Sequence, residues 1–211
     1  MRRPILQLDD APDPVLVIAP GMLRDHVLYL IDGFHQGSFD QSYCTSAEMR
    51  SWIGKAANRR GHEFNAAVAR RLEELGWKAV HDRNVTEILK RGFEVNYGDV
   101  DVLAWRDDGR VLAMECKHLQ FQKTPGEVAA QLADFRGECN HAGEPDDLLK
   151  HLRRHELIGE NLHSIARYTG LSRITSVEGW VVFRNPVPMQ FVWDRVGRMS
   201  KLALFDDLAK V

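Results

Sequence analysis

Asp99, Asp101, Glu115 and Lys117 are spaced so that three carboxylates and an ammonium meet on one face of a two-stranded ribbon. Gly98 to Val102 alternates polar and apolar residues before the apolar Leu103–Trp105, and Val111–Met114 is an apolar run that ends in the alternating Glu115, Cys116, Lys117; each stretch is read as a half-buried strand. Between them lie Asp107, Asp108 and Gly109, a three-residue loop with glycine where a left-handed residue is needed. Such a loop sets a register in which paired numbers sum to about 216, so Asp101 should face Glu115. Side chains two apart share a face, so all four charged groups project together.

Carboxylates held that close repel and raise one another's pKa unless cations sit among them. The cluster therefore asks for Lys117 and a divalent metal. Oxygen donors with no histidine or cysteine on that face favour Mg²⁺ or Mn²⁺ over zinc.

Gly98, Asp99, Val100, Asp101 followed by Glu115, Cys116, Lys117 resembles the PD-(D/E)xK nuclease superfamily, in particular its Mrr and Holliday-junction-resolvase-like branches. The resemblance implies that Asp101, Glu115 and the backbone carbonyl of Cys116 hold Mg²⁺ (or Mn²⁺), with Asp99 as an extra acid. It also implies that Lys117 positions or activates the attacking water. The run Phe64, Val68, Leu72, Gly76, Trp77 is similar to the first helix and strand of Mrr-like enzymes. Those usually carry a glutamate directly after the phenylalanine. Here that position is Asn65, which falls within the apolar stripe, while Glu63 falls outside it. Asn65 is accordingly expected to face the site and hydrogen-bond a metal-bound water or a carboxylate. Gln131 to Phe135 resembles a Gln-x-x-x-Tyr element of several branches, with phenylalanine replacing tyrosine, so Gln131 is a candidate substrate contact, although a surface glutamine is the blander reading.

The fold implied is α/β: a restriction-endonuclease-like αβββαβ core with a mixed central sheet flanked by helices. A chain of 211 residues with 44% hydrophobic content fits one such domain, expected over 59–211, behind a variable extension over 1–58. With 28 Lys plus Arg against 30 Asp plus Glu, any nucleic-acid contact must come from a local basic patch. Lys150, Arg153 and Arg154 are candidates for phosphate contact, with a solvated helix face as the default reading. Cys44, Cys116 and Cys139 are odd in number and irregularly spaced, which suits a reducing cytoplasm. No signal peptide or membrane span is read, since the early apolar run Val15–Ala19 is too short to cross a bilayer.

Other elements follow from local signals. A short strand is expected at Val15–Ile18, a helix at Met22–Ile31, and a loop over Gly33–Ser42. Thr45 and Glu48 suggest a capping box, and a second helix from Gly61 to Leu75 is stopped by Gly76. Trp77–His81 reads as the first sheet strand, and Thr86–Arg91 as either a helical turn or its continuation. Thr124, Pro125 and Glu127 mark a helix with Val128, Leu132 and Phe135 on its apolar stripe. Glu144–Asp147 precede a long helix to about Thr169, with Leu148, Leu152, Ile158, Leu162 and Ile165 on one side and Lys150, Arg153 and Arg154 pointing mostly away. Trp180–Phe183 should return parallel to the hairpin, Phe191–Trp193 should add an edge strand, and Leu202–Leu208 a terminal helix.

The function expected is metal-dependent hydrolysis of DNA phosphodiesters, in restriction, phage defence or DNA repair, by a homodimer or part of a larger multidomain protein. Two other classes compete: a catalytically silent nuclease-fold module that binds nucleic acid or a partner, and a zinc-stabilised interaction module. The last would use His151 and His155 at i, i+4 with Cys139 and His141. Because Cys-x-His is not a usual zinc pair, histidines packed against the core are the preferred reading.

Overall fold

Strands β1 (Ile5–Gln7) and β2 (Leu16–Ile18) pair antiparallel, Ile5 opposite Ile18, in the computed structural model, which describes residues 5–35, 37, 39, 44–120, 124–196 and 200–211. Helix α1 follows over Pro20–His35 and buries none of its residues. Its last residues, 33–35, are helical where a loop over Gly33–Ser42 was expected, and residues 36, 38 and 40–42 of that loop lie outside the described residues. Contacts divide the chain into residues 1–60 and residues 61–211.

Helix α2 (Ala47–Glu74) is continuous, where the sequence suggested two helices. Gly61 lowers helix propensity by only about 1 kcal/mol, which packing outweighs. The cap also differs, for the Met49 amide donates to Ser46 Oγ at 3.1 Å, one residue beyond the expected Thr45. At the other end Gly76 adopts φ +84°, the Trp77 amide reaches Leu72 O and the Gly76 amide reaches Glu73 O. That pair of bonds closes the helix as its glycine predicted.

Residues 78–204 then build a five-stranded mixed sheet in spatial order β3-β4-β5-β6-β7. Strand β3 (Lys78–Asn84) leads into the short helix α3 (Val85–Leu89), capped by the Asn84 side chain, which resolves the open reading of that stretch. Strands β4 (Asp99–Trp105) and β5 (Arg110–Lys117) form the hairpin, with Val102 opposite Met114 and Trp105 opposite Val111, the register read from the turn. Gly109 has φ +89°, and a Cβ there would stand 2.6 Å from Arg173 O, so the loop needs glycine twice over.

Helix α4 (Pro125–Ala133) carries the expected Thr124–Glu127 capping box. Beyond it, α5 (Asp147–Glu160) and α6 (Leu162–Thr169) replace the single long helix. Asn161 has non-helical backbone and caps both; its side chain donates to Leu157 O at 2.8 Å, and the break leaves Leu162 exposed rather than on the apolar stripe. Strand β6 (Ser176–Phe183) pairs parallel with β5, as expected. Phe191–Trp193 is not an edge strand. It spans the end of a 3₁₀ turn, Pro188–Phe191, and the start of α7 (Trp193–Val196). The edge is β7 (Lys201–Leu204), parallel to β6, and a 3₁₀ turn, Phe205–Lys210, follows, so the expected terminal helix Leu202–Leu208 begins as strand and ends as 3₁₀.

Alternation decides what covers each face. Val102, Ala104, Leu112, Met114 and Cys116 bury against Phe64, Val68 and Leu72 of α2. Leu103, Trp105, Val111 and Ala113 bury against α3, Ile158 of α5 and Ile165 of α6. This is the α/β architecture expected, a mixed sheet with helices on both sides. Among the described residues no helix is long and apolar enough to cross a membrane.

Candidate functional site

Glu115 and Lys117 alternate with Cys116, so they project toward the face that α5 covers while Cys116 turns to α2. The β4–β5 ladder ends at Val102 opposite Met114, and one more step of that register sets Asp101 against Glu115. There the backbone pairing gives way to a side chain: the Cys116 amide donates to Asp101 Oδ2 at 2.7 Å. A strand residue directs its N–H and C=O to the same neighbour, so the Cys116 carbonyl lies on the edge where Asp101 stands.

Both Glu115 oxygens are matched by cations. Lys117 Nζ is 3.0 Å from Oε1 and 2.9 Å from Asp147 Oδ2. The Arg154 guanidinium pairs with Oε2 and donates to Tyr97 O at 3.2 Å. Glu115 is buried, and Arg154 keeps only 11% of its side chain exposed. Burial, and then the neighbouring Glu115 charge, push the Asp101 carboxyl up to about 7 against the pull of the Cys116 amide, Lys117 and Arg154. Burial works against the Lys117 charge, but Glu115 and Asp147 outweigh it and raise the ammonium's pKa. Asp147 moves the opposite way: burial opposes its ionisation, and Lys117 and Lys150 more than offset that.

Asp147, His151, Arg154 and Ile158 fall at i, i+4, i+7 and i+11 on α5, one helical stripe. The expectation that Arg154 points mostly away is therefore corrected. The signal was available, since Arg154 lies three residues after His151 and four before Ile158, both of which are buried. Asp147 was missed as a site residue because it read only as an acid at a helix start. Lys150 is exposed and 3.3 Å from Asp147 Oδ1, and Arg153 is exposed at the surface of α5.

A second cluster forms on the α2 side. Asp82 has φ +52°, a left-handed conformation uncommon outside glycine and found mainly at asparagine, aspartate and histidine. In an unbroken strand it would share a face with Asp101, its partner in the β3–β4 register. Instead its Oδ1 accepts from Asn65 Nδ2 at 2.7 Å and lies 2.9 Å from His62 Nδ1, while Oδ2 lies 2.9 Å from His81 Nδ1. Burial tends to raise its pKa, but the bonds from His81, Asn65 and His62 prevail and lower it. The hydrogen bond to Asp82 raises the His62 pKa, and the charges of Asp101 and Asp99 add to it. Asn65 is thus buried as expected from its helical phase, but it holds Asp82 rather than touching Asp101 or Glu115. Its Oδ1 is buried without a partner among the described residues. Asp82 went unnoticed because a single aspartate in a polar strand carries no pattern.

The remaining candidates divide. Asp99 is exposed and accepts from Asn84 Nδ2 at 2.9 Å, which draws it toward β3 and away from Lys117. Gln131 is buried rather than superficial; its Nε2 donates to Gln120 O at 3.2 Å and its Oε1 is buried without a partner among the described residues. His151 is buried, with Nε2 3.1 Å from Ser200 Oγ, and burial pushes its imidazole down to about 4. His155 lies 3.3 Å from Val177 O, while Cys139 and His141 are exposed. The two α5 histidines are therefore packed and hydrogen-bonded, the preferred reading above.

The donors that could hold a divalent cation are the carboxylates of Asp101 and Glu115 and the Cys116 carbonyl. Among the described residues no group of three His, Cys, Asp or Glu side chains is arranged to hold a metal ion. Two carboxylates and a carbonyl are a donor set through which Mg²⁺ can bind while keeping several waters. The elevated Asp101 carboxyl is a further fit, because a cation between the two carboxylates would relieve their repulsion.

No curated protein and no solved structure matches the chain. A family model described as anti-phage protein Upx-like matches residues 1–207, nearly the whole length. The chain belongs to the Upx-like family of anti-phage proteins.

Proposed function

We propose that this Upx-like protein defends against phage as a PD-(D/E)xK-type nuclease that hydrolyses nucleic-acid phosphodiesters, DNA foremost, with Mg²⁺ or Mn²⁺. The observation that carries this reading is the trio of Asp101, Glu115 and Lys117, gathered at one end of the hairpin with Lys117 Nζ 3.0 Å from Glu115. Asp101, Glu115 and the Cys116 carbonyl would hold the cation, which when bound polarises the phosphate and acidifies a water. Lys117, anchored on Asp147, orients that water and offsets charge developing on the phosphate. Asn65 acts at one remove by holding Asp82 and, through it, His62 beside the acidic cluster.

One observation favours a second reading, a catalytically silent module that binds nucleic acid or a partner: Lys117 and Arg154 already neutralise both oxygens of Glu115. The two are separated by incubating the purified chain with plasmid, linear, single-stranded and branched DNA and with RNA, in Mg²⁺, Mn²⁺ or EDTA. Cleavage that needs the metal supports the nuclease. Binding with no cleavage of any substrate supports the silent module.

A further inference from the structure

We propose that Arg154 is an exchangeable counterion, which holds Glu115 in the metal-free protein and passes to the scissile phosphate once a divalent cation takes Glu115. The inference rests on the nuclease reading above and assigns that site its phosphate-binding residue. Its basis is an asymmetry between the two cations on Glu115. Lys117 has a second carboxylate, Asp147 at 2.9 Å, and stays anchored if Glu115 is claimed by a metal. Among the described residues Arg154 has no second carboxylate at ion-pair distance, and its other hydrogen-bond partner is the neutral carbonyl of Tyr97 at 3.2 Å. Arg154 is therefore the group that lets go.

A guanidinium this buried is not left without an anion, because an uncompensated buried charge is strongly destabilising. The charge balance names the replacement. With a divalent cation bound, two positive charges join those of Lys117, Lys150 and Arg154, against the three carboxylates Asp101, Glu115 and Asp147. Positive charge is left in excess. A phosphodiester carries one negative charge, and the planar fork of arginine matches two phosphate oxygens at once. Metal and substrate binding are thereby coupled: the cation frees Arg154, and Arg154 then favours the phosphate.

The test uses the full chain and reads binding, not turnover. Mn²⁺ affinity is measured by calorimetry at pH 8 for wild type, Arg154→Ala, Arg154→Lys and Glu115→Gln. Affinity for a short fluorescent DNA duplex is measured by anisotropy in Ca²⁺ and in EDTA. Removing the competitor should let Arg154→Ala bind Mn²⁺ about tenfold tighter, a coupling of ordinary size. The same variant should bind the duplex about tenfold more weakly in Ca²⁺ and no differently in EDTA. Arg154→Lys keeps the charge and guards against a folding defect; without the fork it should show the same Ca²⁺-specific loss of DNA affinity. Unchanged or weaker Mn²⁺ binding by Arg154→Ala, with Glu115→Gln unable to bind, overturns the exchange and leaves the metal site standing. Wild-type Mn²⁺ binding by Glu115→Gln overturns the nuclease reading itself.

Discussion

Asp101 and Asp99 show how two acids two residues apart on one strand can be given different work. Asp101 accepts the Cys116 amide and stands against Glu115, whereas Asp99 is exposed and tied to Asn84. Asp101→Asn should therefore abolish Mn²⁺ binding, and Asp99→Asn should weaken it by no more than a few fold, as a surface charge screened by salt does. Calorimetric titration of both variants checks this; equal losses would mean that Asp99 is a full ligand. Residue types and spacing were enough to expect Asp101, Glu115 and Lys117 together at one end of the hairpin, because turn chemistry fixes its register and side chains two apart share a strand face. They were not enough for Asp82, whose left-handed backbone redirects its carboxylate to Asn65 and His62, nor for Arg154, which meets Glu115 from 39 residues away.

Helix α5 is the element that completes the site, since it brings both Asp147 and Arg154 to the hairpin. Its start is held by Asp146, whose carboxylate accepts the Leu149 amide at 2.7 Å as N-cap and the Arg136 and Glu138 amides at 2.9 and 3.1 Å. Asp146→Ala should lower stability by about 1–2 kcal/mol, the upper range for a lost cap. Urea unfolding measures it, and a loss below about 0.5 kcal/mol, the size of an ordinary surface change, would show that the cap is dispensable. The hairpin, α4 and β6 were legible because each carries its own signal: a glycine turn, a capping box, an apolar run closed by prolines. The α5–α6 break at Asn161 and the edge strand β7 were not. Asn161 sits in a continuous helical pattern that tolerates a break only because tertiary packing wants one, and Lys201–Leu204 is too short for its alternation to stand out.

At the scale of the whole molecule, the sheet presents a strand-end site on the face that α5 covers, and the protein's stability should depend on pH through Asp101. That carboxyl rises from an ordinary 3.8 to about 7 on folding. Between those values the folded chain holds a proton that the unfolded chain has lost, so stability from this group is full below 3.8 and declines as pH climbs to 7. Asp101→Asn keeps an acceptor for Cys116 and cannot ionise. Its melting temperature should exceed that of the wild type at pH 8 without metal, and the two should converge near pH 4. A variant no more stable than wild type at pH 8 would contradict the crowded-carboxylate account. The most direct measurement of the central claim is cleavage of supercoiled plasmid by wild type and Lys117→Ala, in Mg²⁺ and in EDTA, with melting curves run alongside. The account predicts cutting by wild type in Mg²⁺ alone and a rate about 10²–10³-fold lower for Lys117→Ala, at closely similar melting temperature. Cutting that persists in EDTA, or Lys117→Ala turning over like wild type, would contradict it.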